Sequence, residues 1–472
     1  MRQLAERLRQ DPDWADATFL AWDSGIRPLS RRTFSDAANS LALHSTAPPL
    51  PGRPWGAAVS RIVLFAAPNR SFRDENLLWL WRLLLRIVRP LGFSLLDIRA
   101  GSRFVSDLRI QWIRTMARLE AEHRAPYVVQ LLGDRDSLVG TVDSLDVEQM
   151  RNAVQLGVPN ADHSSIVNVE GPDGEARYTQ LRKALFGAPQ LAPPNAALSQ
   201  AEAERPVVFL LHGIRAGTDD WVARAKALLD ARPERPVARF PSYGYFSAWN
   251  FAVPFTRATN LRFMLDAYTQ ELAARPDAEF HFVGHSNGTY ILGQTLQAVP
   301  AVRFTNVFLA GSVLPPTYPW RQRSTEQVAR VRNDQATRDI PVAMLCNLLR
   351  GLGMKDIGTG EFTGFLESFD AMQVVKYHKG GHAAALSDGN LAGVVEFALT
   401  GTAATTPELV PESGKGFAFV SRLCKYLPLI LALAAVALAA WLGWTGSISE
   451  WLRIPATVAA GLATAYGLIK SV

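Results

Sequence analysis

Cysteine is nearly absent: the 472 residues hold two, Cys346 and Cys424. Each lies in or beside an apolar run and has no partner at metal-ligand spacing. A structural disulfide and a zinc site are both unexpected, and a reducing compartment is compatible. The opening residues, MRQLAERLRQDPDW, contain no long apolar run, so no secretory signal is read there. Basic charge is not gathered into a block either. The net charge of +6 is spread over many arginines, and no nucleic-acid motif is present. Nucleic acid is therefore not an expected partner, and the charge supports at most mild attraction to anionic lipid head groups. No metal and no cofactor is expected.

The length exceeds one ordinary domain, and a hydrophobic content of 48% is ample for more than one core. Residues 188–204, APQLAPPNAALSQAEAE, combine alanine and proline with few large apolar side chains and read as a linker. The chain then divides into a first α/β part over residues 1–187, a second over 205–400, a Thr/Pro/Gly-rich tether over 401–421, and an apolar C-terminal segment over 422–472.

Chemistry concentrates in the second part. Phe280 to Gly293 reads FHFVGHSNGTYILG, a run of β-formers entering Gly284-His285-Ser286-Asn287-Gly288 and then a helix-capable stretch. A G-x-S-x-G turn between strand and helix holds its central residue in strained backbone and pushes the hydroxyl above the sheet. Here that residue is Ser286. Upstream, Arg205 to Gly213 reads RPVVFLLHG, a buried strand ending in His-Gly. A loop in that place can turn a second backbone N–H toward a developing alkoxide.

With these motifs the chain resembles the α/β-hydrolase superfamily in its lipase and esterase branch, over about residues 205–400. The resemblance implies a mostly parallel sheet with flanking helices and a triad in the order Ser, acid, His. Three acids follow the next strand, Thr305 to Val313. Asp339, in RVRNDQATRDIPV, follows a strand and turn and is preferred; Asp356, in GLGMKDIGTG, is second; Asp334 is third. Of the two later histidines in VVKYHKGGHAAAL, His382 lies on a glycine-loosened loop after the last strand, whereas His378 falls at the strand. The implied site is Ser286, Asp339 and His382, with an oxyanion hole from the N–H groups of Asn287 and Ile214. Aromatics in PSYGYFSAWNFAVPF, namely Tyr243, Tyr245, Phe246 and Trp249, could wall an acyl pocket.

The first part reads as a truncated and inactive hydrolase-like domain. SRIVLFAAP (Ser60 to Pro68) and PYVVQLLGDRDSLV (Pro126 to Val139) read as strands, and His163 follows in the loop NADHSSI. This order parallels the second part, with Thr18 to Gly25 matching Arg239 to Gly244, and suggests a long-period duplication. Between Ala38 and Ser60 the chain is proline-rich and lacks a serine elbow, which leaves Asp136 and His163 without a nucleophile. Glu75 to Arg89, ENLLWLWRLLLRIVR, is too short to span a bilayer and is read as a buried helix in preference to an interfacial one.

At the C-terminus, Leu427 to Trp444 is an uncharged apolar run just long enough to span, and Ile454 to Ile469 is a shorter second run. Together they read as a transmembrane hairpin. Arg422, Lys425 and Lys470 flank it, which places both ends and the hydrolase domain on the cytoplasmic side. The expectation is a membrane-anchored serine hydrolase acting on a carboxylic ester, with a lipid or other small ester as substrate. A non-catalytic membrane scaffold of the same fold is the alternative, and a thioesterase or amidase a further one. Oligomeric state is not set by these features.

Overall fold

The computed structural model describes residues 59–65, 101–136, 152–163, 165–188, 198–214, 220–241, 251–252, 257, 260–402, 409–410 and 414–444. The fold is α/β, with parallel sheets and flanking helices. The chain forms two compact units: Met1–Glu204 with Leu265–Ala278, and Arg205–Met264 with Glu279–Val472.

In the first unit three strands, β1 (Arg61–Phe65), β2 (Tyr127–Gly133) and β3 (Ala153–Val158), pair in parallel in that order. β2 lies between the other two and alternates its contacts, as a central strand buried on both faces must. Val129 and Leu131 meet Tyr178, Leu181 and Ala184 of a helix over Gly174–Phe186, while Val128 meets Met116 of a helix over Arg103–Ala121. We label these helices α1 (Arg103–Ala121) and α2 (Gly174–Phe186). Ser102 starts α1 by accepting the Val105 N–H at 3.2 Å. The segments at 18–25, 38–58 and 75–89 lie outside the described residues.

The second unit carries six strands: β4 (Val207–Leu211), β5 (Val237–Arg239), β6 (Phe280–His285), β7 (Phe304–Ala310), β8 (Val328–Ala336) and β9 (Met372–His378). All pair in parallel in the order β5-β4-β6-β7-β8-β9. The chain winds outward from β4 in one direction and then from β6 in the other. The loops leaving β4 and β6 therefore flank the place where a parallel sheet opens a crevice at its carboxyl edge.

Five helices matter here: α3 (Asp220–Asp230), α4 (Leu261–Ala274), α5 (Asn287–Ala298), α6 (Asp388–Thr400) and, further on, α7 (Lys415–Cys424). From Leu265 onward α4 belongs to the first unit, where Arg109 of α1 donates to Thr269 Oγ1 at 2.6 Å. On one sheet face Val208, Leu210, Val283 and Phe308 pack with Trp221, Leu229, Val394 and Phe397. On the other, Phe209, Phe282 and Phe304 meet edge to face, with ring centroids 5.6–6.0 Å apart. This two-residue alternation within fully buried strands explains why they read as continuous apolar runs.

The stretch expected to be a tether is partly ordered by pairing. Tyr377 of β9 exchanges two backbone hydrogen bonds of 2.9 Å with Val410, which covers an otherwise open edge. α7 then docks through Ser421, whose Oγ donates to Ala343 O at 2.7 Å. Helix α8 (Leu427–Trp444) follows, with Ile430, Leu431, Leu438 and Trp441 exposed. No single described helix is long and apolar enough to cross a membrane; α7 and the first part of α8 pass that test only as a pair bent by 58°. The second apolar run, 454–469, lies outside the described residues.

Candidate active site

Ser286 follows the last residue of β6 and precedes the first of α5, at φ 53° and ψ −121°. A β-carbon makes this region costly for a non-glycine residue, of order 1–3 kcal/mol, so the surrounding structure must hold it there. The Ser286 N–H donates to Ala310 O at 3.0 Å, and Ser286 O accepts from Thr289 N–H and Thr289 Oγ1. The Thr289 hydroxyl also accepts the Val313 N–H at 3.1 Å. The turn is thus braced against the loop leaving β7. Ser286 is 6% exposed.

Asp339 lies three residues past the end of β8, at the start of a π-helix over Pro341–Cys346. Its side chain is fully buried. Oδ1 accepts the Val342 N–H at 2.9 Å, and Oδ2 lies 2.7 Å from His382 Nδ1. An imidazole whose Nδ1 faces a carboxylate carries its proton there, which leaves Nε2 as the basic nitrogen. The imidazole is 21% exposed against none for the carboxylate.

The loops carrying acid and imidazole are fastened to each other. Thr337 N–H donates to His378 O at 3.0 Å, Arg338 N–H to Gly380 O at 2.9 Å, and Gly380 N–H to Thr337 Oγ1 at 3.1 Å. Just before them the β8–β9 register slips: Asp334 faces Val375 but Ala336 faces His378. Such a bulge bends the strand ends and re-aims the residues beyond them.

Gly311 joins serine to imidazole. It follows Ala310, whose carbonyl holds the Ser286 N–H, and has φ +55°. A β-carbon there would stand 2.7 Å from His382 Cε1, so the His382 ring occupies space that any other residue would take. Among the described residues no hydrogen bond joins Ser286 Oγ to His382. Such contacts are commonly long in the absence of substrate and tighten when it binds.

The two other acids are engaged elsewhere. Both oxygens of Asp334 accept from Arg332, at 2.7 and 2.8 Å, and Oδ2 lies 2.8 Å from His378 Nε2. This trio is buried in β8 and at the end of β9. Asp356 accepts from Arg257 at 3.0 and 3.1 Å and from the Tyr290 hydroxyl at 3.0 Å. Burial raises the Tyr290 phenol pKa, with the Asp356 charge acting in the same direction, so the phenol stays protonated as the donor.

Ile214 leaves the loop after β4, and Asn287 is the first residue of α5, at the positive end of the helix dipole. His212 Nδ1 lies 2.8 Å from Gly213 O and so shapes the same loop. Tyr243, Tyr245, Phe246 and Trp249 lie outside the described residues. Phe251, from the same aromatic run, is buried beneath Arg257, with 5.4 Å between guanidinium and ring centroid.

One contributor carries no local signal in the sequence. His285, the second letter of the serine motif, donates from Nε2 to His382 O at 3.2 Å, and the two rings lie 4.6 Å apart. Burial, and secondarily the nearby His382, push its pKa down to about 3. It is a neutral donor that holds the His382 loop. Among the described residues no cluster of three or more His, Cys, Asp or Glu is arranged to hold a metal.

In the first unit His163 Nδ1 lies 3.1 Å from Asp136 Oδ2, with the carboxylate buried and the imidazole 45% exposed. The two residues that the sequence left without a nucleophile are thus paired with each other.

The chain matches no protein-family model and no curated protein.

Proposed function

We propose that this protein is a serine hydrolase of the α/β-hydrolase type that cleaves a carboxylic ester. The observation that carries the reading is Ser286 at φ 53° between β6 and α5, on the same sheet edge as a buried Asp339 paired with His382. A serine held in costly backbone at that junction is what a nucleophile elbow requires. The strand order supports the reading, because nucleophile, acid and imidazole leave β6, β8 and β9 at their carboxyl ends.

In this mechanism His382 Nε2 takes the Ser286 proton as Oγ attacks the ester carbonyl. Asp339 holds the imidazole tautomer and stabilises the imidazolium. The N–H groups of Asn287 and Ile214 bind the oxyanion, each contributing about 3 kcal/mol to barrier lowering. The imidazolium returns its proton to the leaving alcohol. Water, activated by the same Nε2, then attacks the acyl-enzyme and frees Ser286.

We further propose attachment to a membrane through α7, α8 and the apolar residues beyond, with the hydrolase unit on the cytoplasmic side. The exposed leucines of α8 and the flanking Arg422 and Lys425 support this reading. Lipid-borne esters then become accessible substrates.

Hydrolysis of p-nitrophenyl esters of graded acyl length tests the chemistry. Turnover that Ser286→Ala abolishes is expected. Absence of turnover across ester, thioester and amide panels would leave a non-catalytic membrane scaffold as the better reading. For attachment, the full chain is expected to stay with the membrane pellet after alkaline carbonate washing; release into the supernatant would contradict it.

A further inference from the structure

Behind the acid stands a second carboxyl group that the mechanism above does not use. Glu361 lies in a single helical turn, Gly360–Thr363, and is fully buried. Its backbone is fixed to the loop after β7, with Gly360 N–H donating to Leu314 O at 2.8 Å and Glu361 N–H to Ser312 O at 3.0 Å. Its Oε1 accepts the Ala336 N–H at the end of β8. Its Oε2 is buried and meets no donor, while the side chain reaches the carboxyl group of Asp339 at hydrogen-bonding range.

Two acidic side chains in such contact cannot both be ionised without a cation, and among the described residues none forms an ion pair with Glu361. The buried Arg332 is engaged with Asp334. The hydrogen bonds decide which acid keeps the proton. Asp339 receives two donors, Val342 N–H and His382 Nδ1–H, whereas Glu361 receives one. More donors favour the charged form. Burial acts in the same sense, raising the Glu361 pKa well above the usual carboxylate range, with the Asp339 charge second.

We propose that Glu361 is a positioning residue for the Asp339–His382 pair, donating a hydrogen bond from its own carboxyl proton to the Asp339 carboxylate. This rests on the serine-hydrolase reading and extends it by one member: Ser286, His382, Asp339, Glu361. The Glu361 proton completes the donor set of Asp339, which holds the carboxylate plane for His382. It also leaves only one negative charge behind the imidazole. Ser312 and Leu314, which hold the Glu361 turn, follow Gly311, against which the His382 ring packs. The same loop therefore sets both ends of the relay.

Glutamine reproduces the proposed pattern, its oxygen accepting from Ala336 N–H and its amide donating to Asp339. Leucine removes it. With the full chain and a p-nitrophenyl ester, Glu361→Gln is expected to keep kcat within about threefold, and the acid-limb pKa of kcat/KM unmoved. Glu361→Leu is expected to lower kcat by about tenfold or more with KM little changed. The other groups facing Glu361 are Asp334, with its partners Arg332 and His378, and the Cys346 thiol, whose pKa burial raises. Both variants leave all of these in place. A fall of about one unit in the acid-limb pKa of Glu361→Gln would show that an ionised Glu361 had been stabilising the imidazolium, and would overturn the proposal. So would wild-type kcat in Glu361→Leu. If leucine prevents folding, the pH profile of the glutamine variant decides alone. Loss of turnover in Ser286→Ala beside a silent Glu361 would sink this inference and leave the hydrolase reading standing.

Discussion

A β-carbon placed on Gly213 would stand 2.7 Å from the Cβ of Ser286 and 3.2 Å from its Oγ. The His-Gly loop after β4 and the serine turn after β6 thus pack backbone against side chain, the arrangement an oxyanion site needs. Gly213→Ala is expected to displace the hydroxyl by a fraction of an ångström. The predicted cost is about 10²-fold in kcat/KM. Steady-state kinetics check this, with an unchanged far-ultraviolet spectrum showing that the fold is kept.

Asp334 and Asp339, five positions apart, should respond to substitution in opposite ways. Asp339→Asn offers His382 the wrong tautomer and is expected to lower kcat by up to about 10⁴-fold. Asp334→Asn leaves the buried Arg332 guanidinium without its counter-charge and is expected to cost about 3–5 kcal/mol of stability, with kcat per folded molecule retained. Denaturant unfolding paired with active-site titration distinguishes the two. A catalytic lesion at Asp334 with stability intact would contradict the assignment.

Much of this site is legible in the sequence because it depends on local pattern. The run into GHSNG has the apolar continuity of a central strand, and Asp339 and His382 each sit on a turn just past a strand. What is not legible depends on tertiary proximity. Glu361 lies in GTGEFTG, a glycine-rich stretch that reads as a loop, and nothing local says that the loop folds back onto Asp339. His378 and Asp334 are separated by 44 positions and meet because β8 and β9 are neighbours. Nor is the π-helix after Asp339 visible: Pro341 to Leu349 reads as a plain apolar run. His285 passes as the variable letter of a motif, although its ring holds the His382 loop.

Acid should destabilise this protein through its buried imidazoles. Burial lowers the His281 pKa to about 4 and the His285 pKa to about 3, against 6.5 for an ordinary histidine. Between those values the unfolded chain binds more protons than the folded one, so stability falls as pH falls. The loss begins near pH 6.5 and for His281 is complete near pH 4. For that residue alone it amounts to about 3 kcal/mol. Urea unfolding from pH 7.5 to 4.5 should show this slope, and His281→Phe should flatten part of it. Equal slopes in the two proteins would mean that His281 titrates normally in the fold.

In the proposed mechanism Ser286 is a nucleophile activated by His382. The most direct measurement of this is mass spectrometry of the folded full chain after reaction with a fluorophosphonate. One adduct per chain is expected, on the peptide carrying Ser286, lost in Ser286→Ala and strongly slowed in His382→Asn. No adduct on the folded protein, or an adduct on another residue, would contradict this mechanism.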